Sequence, residues 1–194
     1  MTVAILSGAS SGALHAVTGP DHLLSLGPAA LRSPHSAGRI GLIWGLGHAL
    51  GTVLLSLPLL LLAQLAELSF LAALGDRLAG LALLVTAALS WRSTRGAPGA
   101  AALEARSPLL VGLVHGITGA GALLLVLPNT LGASWLRSSL YLAAFAAGST
   151  VAMALLTRAI GHAGRSLPAH WLRRIQVTLM AGAAALGSFW LVFG

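Results

Sequence analysis

Six windows follow one another along this chain, each about twenty or more residues long and almost free of charge. They run Val3–Leu26, Ile40–Ala63, Leu71–Trp91, Pro108–Leu131, Trp135–Ile160 and Trp171–Phe193. A helix of about 20 apolar residues crosses the hydrocarbon core of a bilayer. The class that accommodates this pattern is an all-α polytopic membrane protein with six transmembrane helices. Composition agrees: the chain is 57% hydrophobic and 8% charged, where a soluble domain carries about 25% charged residues.

The charges mark the ends of the windows. All eleven basic residues are arginines, and nine of them (Arg32, Arg39, Arg92, Arg95, Arg106, Arg158, Arg165, Arg173 and Arg174) flank the connections between windows 1 and 2, 3 and 4, and 5 and 6. By the positive-inside rule those connections are cytoplasmic and both termini lie outside. The expected location is the cytoplasmic (inner) membrane, in a lipid bilayer. Trp91, Trp135, Trp171 and Trp190 fall near window ends, where an interfacial aromatic belt is expected. The net charge of +7 does not point to nucleic acid, because the arginines are dispersed among helix ends rather than gathered on one strip. The chain has no cysteine, which excludes disulfides and thiolate metal sites. The N-terminus lacks the positive region of a signal peptide, so the first window is read as a retained span.

The sequence repeats itself at an offset of one hundred. "GALHAVTGPDHLLSLGP" (12–28) aligns with "GLVHGITGAGALLLVLP" (112–128), pairing Gly12 with Gly112, His15 with His115, Thr18 with Thr118, Gly19 with Gly119 and Pro28 with Pro128. Residues 1–92 and 108–194 are thus two three-helix repeats, joined by a cytoplasmic linker at 93–107. Three spans is an odd number, so the two repeats enter the bilayer from opposite sides, as in the inverted repeats of many secondary transporters. Helices 1 and 4 are expected to be broken, at Gly19-Pro20 and at Gly119-Ala120-Gly121.

The first break carries costly residues. Asp21 is the one acidic residue in the interior of a span, Asp76 being at the outer end of the third, and a carboxylate at the centre of a membrane helix costs about 2.5–3.5 kcal/mol on insertion scales. His15 and His22, seven residues apart, share a face of an unbroken helix, with Asp21 about 100° from His22. If the helix opens at Pro20, the three side chains can converge. His48 in "WGLGHALGTV" and His115, the repeat-mate of His15, also lie at membrane depth. Imidazole nitrogens with one carboxylate suit nickel, cobalt, zinc, iron or manganese better than Cu(I). The expected metal ligands are therefore His15, Asp21, His22, His48 and His115. The competing expectation is that each histidine is neutral, bonded to a backbone carbonyl, and packs helices together. His35, His162 and His170 lie in arginine-bearing connections and are expected to be solvated. Thr18 is expected to bond a backbone carbonyl of its own helix.

"HAVTGPDH" (15–22) and "GLGHALGTV" (45–53) together resemble the signatures of the nickel/cobalt transporter superfamily and its NicO-like relatives. The similarity is nearest to the short UreH-like branch, whose motif also tends to carry Pro-Asp-His. The resemblance implies a permease that moves Ni²⁺ or Co²⁺ as its substrate across the cytoplasmic membrane, with no prosthetic group. It implicates His15, Asp21 and His22 from the first motif and His48 from the second. Five residues rather than four separate His15 from Asp21, and the chain has six expected spans rather than the larger family's eight. Zn²⁺, Fe²⁺ and Mn²⁺ remain compatible cargoes.

Two other functions were weighed against transport. One is an intramembrane metal-dependent or serine-type enzyme, since "GASSG" (8–12) matches the Gly-x-Ser-x-Gly nucleophile pattern around Ser10. That pattern requires a strand-to-helix elbow, and these residues read instead as a small-residue helix packed through Gly8, Ser11 and Gly12. The other is a non-transporting accessory protein for a nickel enzyme such as urease or hydrogenase. No ATP-binding motif is present, so transport would draw on gradients or on a partner. The small-residue face "AAFAAGS" (143–149) permits close packing within one chain or between two, admitting a homodimer.

Overall fold

The computed structural model describes residues 1–62, 68–95, 108–118, 126 and 133–193, and these form seven helices and no sheet. In chain order they are α1 (Thr2–Thr18), α2 (Pro20–Arg32), α3 (Ala37–Leu62), α4 (Leu68–Thr94), α5 (Pro108–Thr118), α6 (Trp135–Arg165) and α7 (Ala169–Phe193). Most of the linker and the expected second break at Gly119-Ala120-Gly121, with Pro128, lie outside the described residues.

Of the six expected spans, three described helices are on their own long and apolar enough to cross a membrane: α3 within Ala37–Leu55, α6 and α7. The first expected span is instead two helices. Gly19 takes an extended conformation (φ −69°, ψ 109°), and its N–H closes the last turn of α1 by donating to the His15 carbonyl at 3.0 Å. Pro20 then starts α2 at its first position, where its missing N–H costs nothing and its fixed φ suits a helix. Between α6 and α7, Pro168 stops one helix, and its carbonyl accepts the first N–H bonds of the next.

The helices show the packing logic of membrane proteins. On α3, Leu46, Leu50 and Leu54 are 52%, 51% and 53% exposed. Trp44, His48 and Thr52, offset by two residues and hence by about 200°, are each 2% exposed or less. On this helix the leucines point outward while the polar His48 and Thr52 point inward beside Trp44, as in helices whose outer face meets lipid. Trp91, Trp135 and Trp171 are exposed near helix ends, whereas Trp190 is half-buried against the cluster of Leu83, Ala87 and Ala183 between α4 and α7.

Glycines set how the helices pair. α1 lies along α6 with Gly8 against the Tyr141 carbonyl, Gly12 against Phe145 and Gly148 against Ala9. The same device repeats between α3 and α5: Gly47 meets Leu109, Gly51 meets Leu113, Gly112 meets Trp44 and Gly116 meets His48, each at the facing carbonyl. At all of these positions a β-carbon would collide with backbone, so no larger residue fits without separating the helices. The "GASSG" stretch is thus helix-packing surface, as its small residues suggest, and Ser10 is exposed in mid-helix with no elbow. The "AAFAAGS" face is used within the chain, against α1.

α3 and α6 pack against each other through Gly41 and Gly45, and the Thr150 hydroxyl donates to the Gly45 carbonyl at 3.1 Å. α4 and α7 cross where Gly80 and Gly187 face each other. α2 lies against α7, with Gly27 under Leu179 and Gly182 under Leu24.

Candidate metal centre

The break at Gly19 gathers the polar residues. His15 occupies the last turn of α1, Asp21 and His22 the first turn of α2, His48 the middle of α3, and His115 the last turn of α5. His22 and His48 are 0% exposed, His115 is 1% and Asp21 is 8%. The His15 and His22 rings lie 4.7 Å apart, His22 and His48 5.1 Å, His22 and His115 5.3 Å, and His15 and His48 5.5 Å. His35, His162 and His170 are exposed and far from this cluster in the fold; His162 instead pairs with Arg165 at 2.7 Å. Thr18 donates to the Leu14 carbonyl at 2.8 Å, one turn back on its own helix.

The five residues do not form one ring of ligands. They sort into two overlapping triads, His15–His22–His48 and Asp21–His22–His115, and within each triad the candidate ligand atoms lie within 4.8 Å of one another. His22 belongs to both. Asp21 partners His115, whose Nε2–H donates to Oδ2 at 2.6 Å, rather than His15, its neighbour along the chain. His115 reaches Asp21 because Gly112 and Gly116 bring α5 flush against α3.

Hydrogen bonding bears on the two expectations for these histidines. Helix-packing histidines bond backbone carbonyls. Here neither nitrogen of His48 has a hydrogen-bond partner, and Nε2 of His15 has none. His22 makes only a loose approach to the Ala16 carbonyl, with no hydrogen bond of ordinary geometry at either nitrogen. A buried polar atom left unsatisfied costs about 1–3 kcal/mol, and five such nitrogens sit side by side. Each ring can offer one lone-pair nitrogen, and one from each of His15, His22 and His48 lies within 4.8 Å of the others. Tetrahedral coordination at Zn–N distances of about 2.0–2.1 Å needs donors roughly 3.4 Å apart, so holding an ion requires His15, His22 and His48 to close inward, and requires His115 and Asp21 to give up their hydrogen bond.

Three further residues were not singled out from the sequence. Trp44 stacks on His48 (5.3 Å, 7°) and lies 5.6 Å from His22 and 5.2 Å from His115, roofing the cluster with an indole plane. Its position four residues before His48, on the same helical face, is the signal the sequence carries for it. Ser25, four residues after Asp21, and Thr52, four after His48, are both buried with hydroxyls that lack a partner. They continue the polar line on either side of the histidines. On the side of Ser25 and Trp44 a cavity of about 30 Å³ opens, lined also by Thr86, room for one or two waters.

Gly19 is the tightest fit in the centre. A β-carbon there would stand 2.7 Å from Asp21 Oδ1 and 2.7 Å from His22 Cε1. Gly19→Ala is therefore expected to push both side chains out of register while leaving the helix contacts intact. The expected loss of metal affinity is about 10–100-fold, as for changes that displace a ligand without removing it. Calorimetric titration of purified protein with zinc, alongside a melting curve that stays within a few degrees of wild type, checks both halves of that expectation.

Fold and site together define a helical protein of membrane-type packing with a buried His/Asp cluster at a helix break. No family model matches the chain, and no solved structure matches it. Among curated proteins it is similar to Chloroplast protein FOR GROWTH AND FERTILITY 1 of Arabidopsis thaliana, 30% identical over 184 residues, covering 83% of this chain and 50% of that protein. It is also similar to Chloroplast protein FOR GROWTH AND FERTILITY 2 of the same plant, 28% identical over 178 residues, covering 83% of this chain and 48% of that protein. The chain spans about half the length of these relatives. The resemblance to nickel/cobalt transporters is corrected accordingly: the relatives found are these chloroplast proteins, and the two short motifs reflect a shared arrangement of polar residues rather than membership of that superfamily.

Proposed function

We propose that this chain forms a permease for a divalent transition-metal ion, which it passes through the His/Asp cluster between α1, α2, α3 and α5. The observation that carries this reading is the set of buried imidazole nitrogens on His15, His22 and His48 that lack hydrogen-bond partners. The donors are nitrogen and oxygen only, which favours ions of the nickel, cobalt, zinc, iron and manganese group. The two triads sharing His22 give the ion two neighbouring resting places. Stepwise exchange of the two outer ligands, His15 and His48 for Asp21 and His115, with His22 retained, moves it between them without full release. The unpartnered hydroxyls of Ser25 and Thr52 supply oxygen contacts on either side.

The proposed architecture is six spans in two inverted repeats, with the arginine-rich helix ends on the cytoplasmic side of an inner membrane. The reciprocal pairing of α1 with α6 and α5 with α3 supports it, because each repeat's first helix then packs on the other repeat's second. Gly12 and Gly112 both press on a facing carbonyl, and His15 and His115 both end their helices at the cluster.

The test is cellular metal content. Wild type, Asp21→Ala and His22→Ala would be expressed at matched levels, and nickel, cobalt, zinc, iron and manganese measured by mass spectrometry. Wild type is expected to shift at least one of these severalfold relative to an empty vector, with both variants at vector levels. Wild type indistinguishable from vector would reject transport, and full activity in Asp21→Ala would reject this site.

A further inference from the structure

A second cavity lies at the arginine-bearing ends of α2, α4 and α7, at the other end of α2 from Asp21 and His22. Its volume is about 540 Å³, within the range of about 300–1,000 Å³ typical of small-molecule sites. Arg32 at the end of α2, Arg95 just past α4 and Arg173 in the first turns of α7 all line it, together with Thr94 and Gln176. Two of the three guanidinium groups are held in place. Arg32 donates to the Ser90 hydroxyl at 3.3 Å, and the Arg95 guanidinium lies 4.6 Å over the Trp91 ring. No carboxylate lines the cavity among the described residues. The positive-inside rule accounts for arginines at this end of the helices, but not for their convergence from three helices on one concavity.

The cavity changes character with depth. Its cationic side carries the arginines, while Leu172, Val177 and Met180 give it an apolar wall that runs from Val177, 40% exposed, down to Met180, 3% exposed. Arg173 and Met180 are seven residues apart on α7, about 10 Å along its axis. A free anion would use the arginines and leave the apolar wall bare. An amphiphile uses both, and basic pockets between helices at this level of a membrane hold lipid headgroups.

We propose that this cavity binds an anionic phospholipid, its phosphate held by Arg32, Arg95 and Arg173 and its first methylenes laid on Leu172, Val177 and Met180. The site is separate from the histidine cluster, so its occupancy survives loss of metal binding.

The experiment uses the full chain purified in mild detergent, incubated with phosphatidylglycerol or phosphatidylcholine of the same acyl chains. Retained lipid is counted by native mass spectrometry. One phosphatidylglycerol per chain is expected, with phosphatidylcholine retained far more weakly. Each of Arg32→Gln, Arg95→Gln and Arg173→Gln is expected to weaken retention about fivefold, and the triple variant roughly a hundredfold. Arg137→Gln, at the opposite end of the molecule, and His22→Ala are expected to leave it unchanged. Equal retention of the two lipids by wild type would overturn the proposal, and this comparison stands even if the triple variant does not fold. Inorganic phosphate or glycerol phosphate raising the melting temperature as much as phosphatidylglycerol would also overturn it, assigning the pocket to a soluble anion.

Discussion

His22→Ala is expected to abolish metal binding, and it is expected to do so more completely than any other single substitution in the cluster. His22 is the one residue common to both triads. Removing His15 or His48 leaves Asp21–His22–His115 intact; removing Asp21 or His115 leaves His15–His22–His48. Removing His22 leaves two donors on each side, too few to hold a first-row ion against water. The expected loss is at least about 100-fold in affinity, equivalent to roughly 2.8 kcal/mol, against about tenfold for His15→Ala or His115→Ala. Calorimetric titration of the five single variants under one set of conditions checks the ranking. If His22→Ala bound within threefold of His15→Ala, the shared-ligand geometry would be wrong even if the protein transported metal.

The second large effect concerns folding rather than chemistry. Gly12→Leu and Gly112→Leu are expected to destabilise the protein severely, and about equally. Each places a branched side chain where a facing backbone carbonyl now lies, Phe145 for Gly12 and Trp44 for Gly112. Overpacking typically costs about 1–3 kcal/mol, and here the obstruction is main chain that cannot rotate away, so the upper end applies. For a chain of this size that corresponds to a fall in melting temperature of about 6–12 °C. The Gly112 variant should also lose metal affinity, since it lifts α5 and with it His115 away from Asp21. The Gly12 variant moves α1 from α6 and disturbs His15 instead. Melting curves followed by tryptophan fluorescence, with metal titration of whatever remains folded, separate the two. Unchanged melting in either variant would mean that the helices do not approach as closely as described.

Much of this was legible in the chain, and the parts that were not have physical causes. The break at Gly19-Pro20 follows from the local chemistry of two residues. The burial of His22, His48 and His115 follows from their place in apolar windows. Which histidine partners Asp21 was not legible. His15 is six residues away and His115 ninety-four, and the choice is made by how closely α5 approaches α3, a matter of Gly112 and Gly116 on helices distant in sequence. Trp44 was overlooked because tryptophans near span ends usually mark the interface. Its role depends on which face of α3 turns inward, and glycines rather than apolar periodicity determine that face. The motifs around Asp21 and His48 misled in another way. A handful of residues that can chelate a cation states a chemistry, and unrelated chains can arrive at the same one.

The exchange of partners between the two sequence halves also bears on how the protein is made. Gly12 packs on Phe145, about 130 residues further along the chain. At synthesis rates of about 5–20 residues per second, that interval is roughly 7–26 s. Throughout it the glycine stripe of α1 has its surface unclaimed, with a polar triad half assembled beside it. α3 faces a shorter wait for α5. The earliest helix is thus locked later than α3, which follows it in the chain. A nascent chain halted before residue 145 should remain open to digestion at its first helix while its third is already protected.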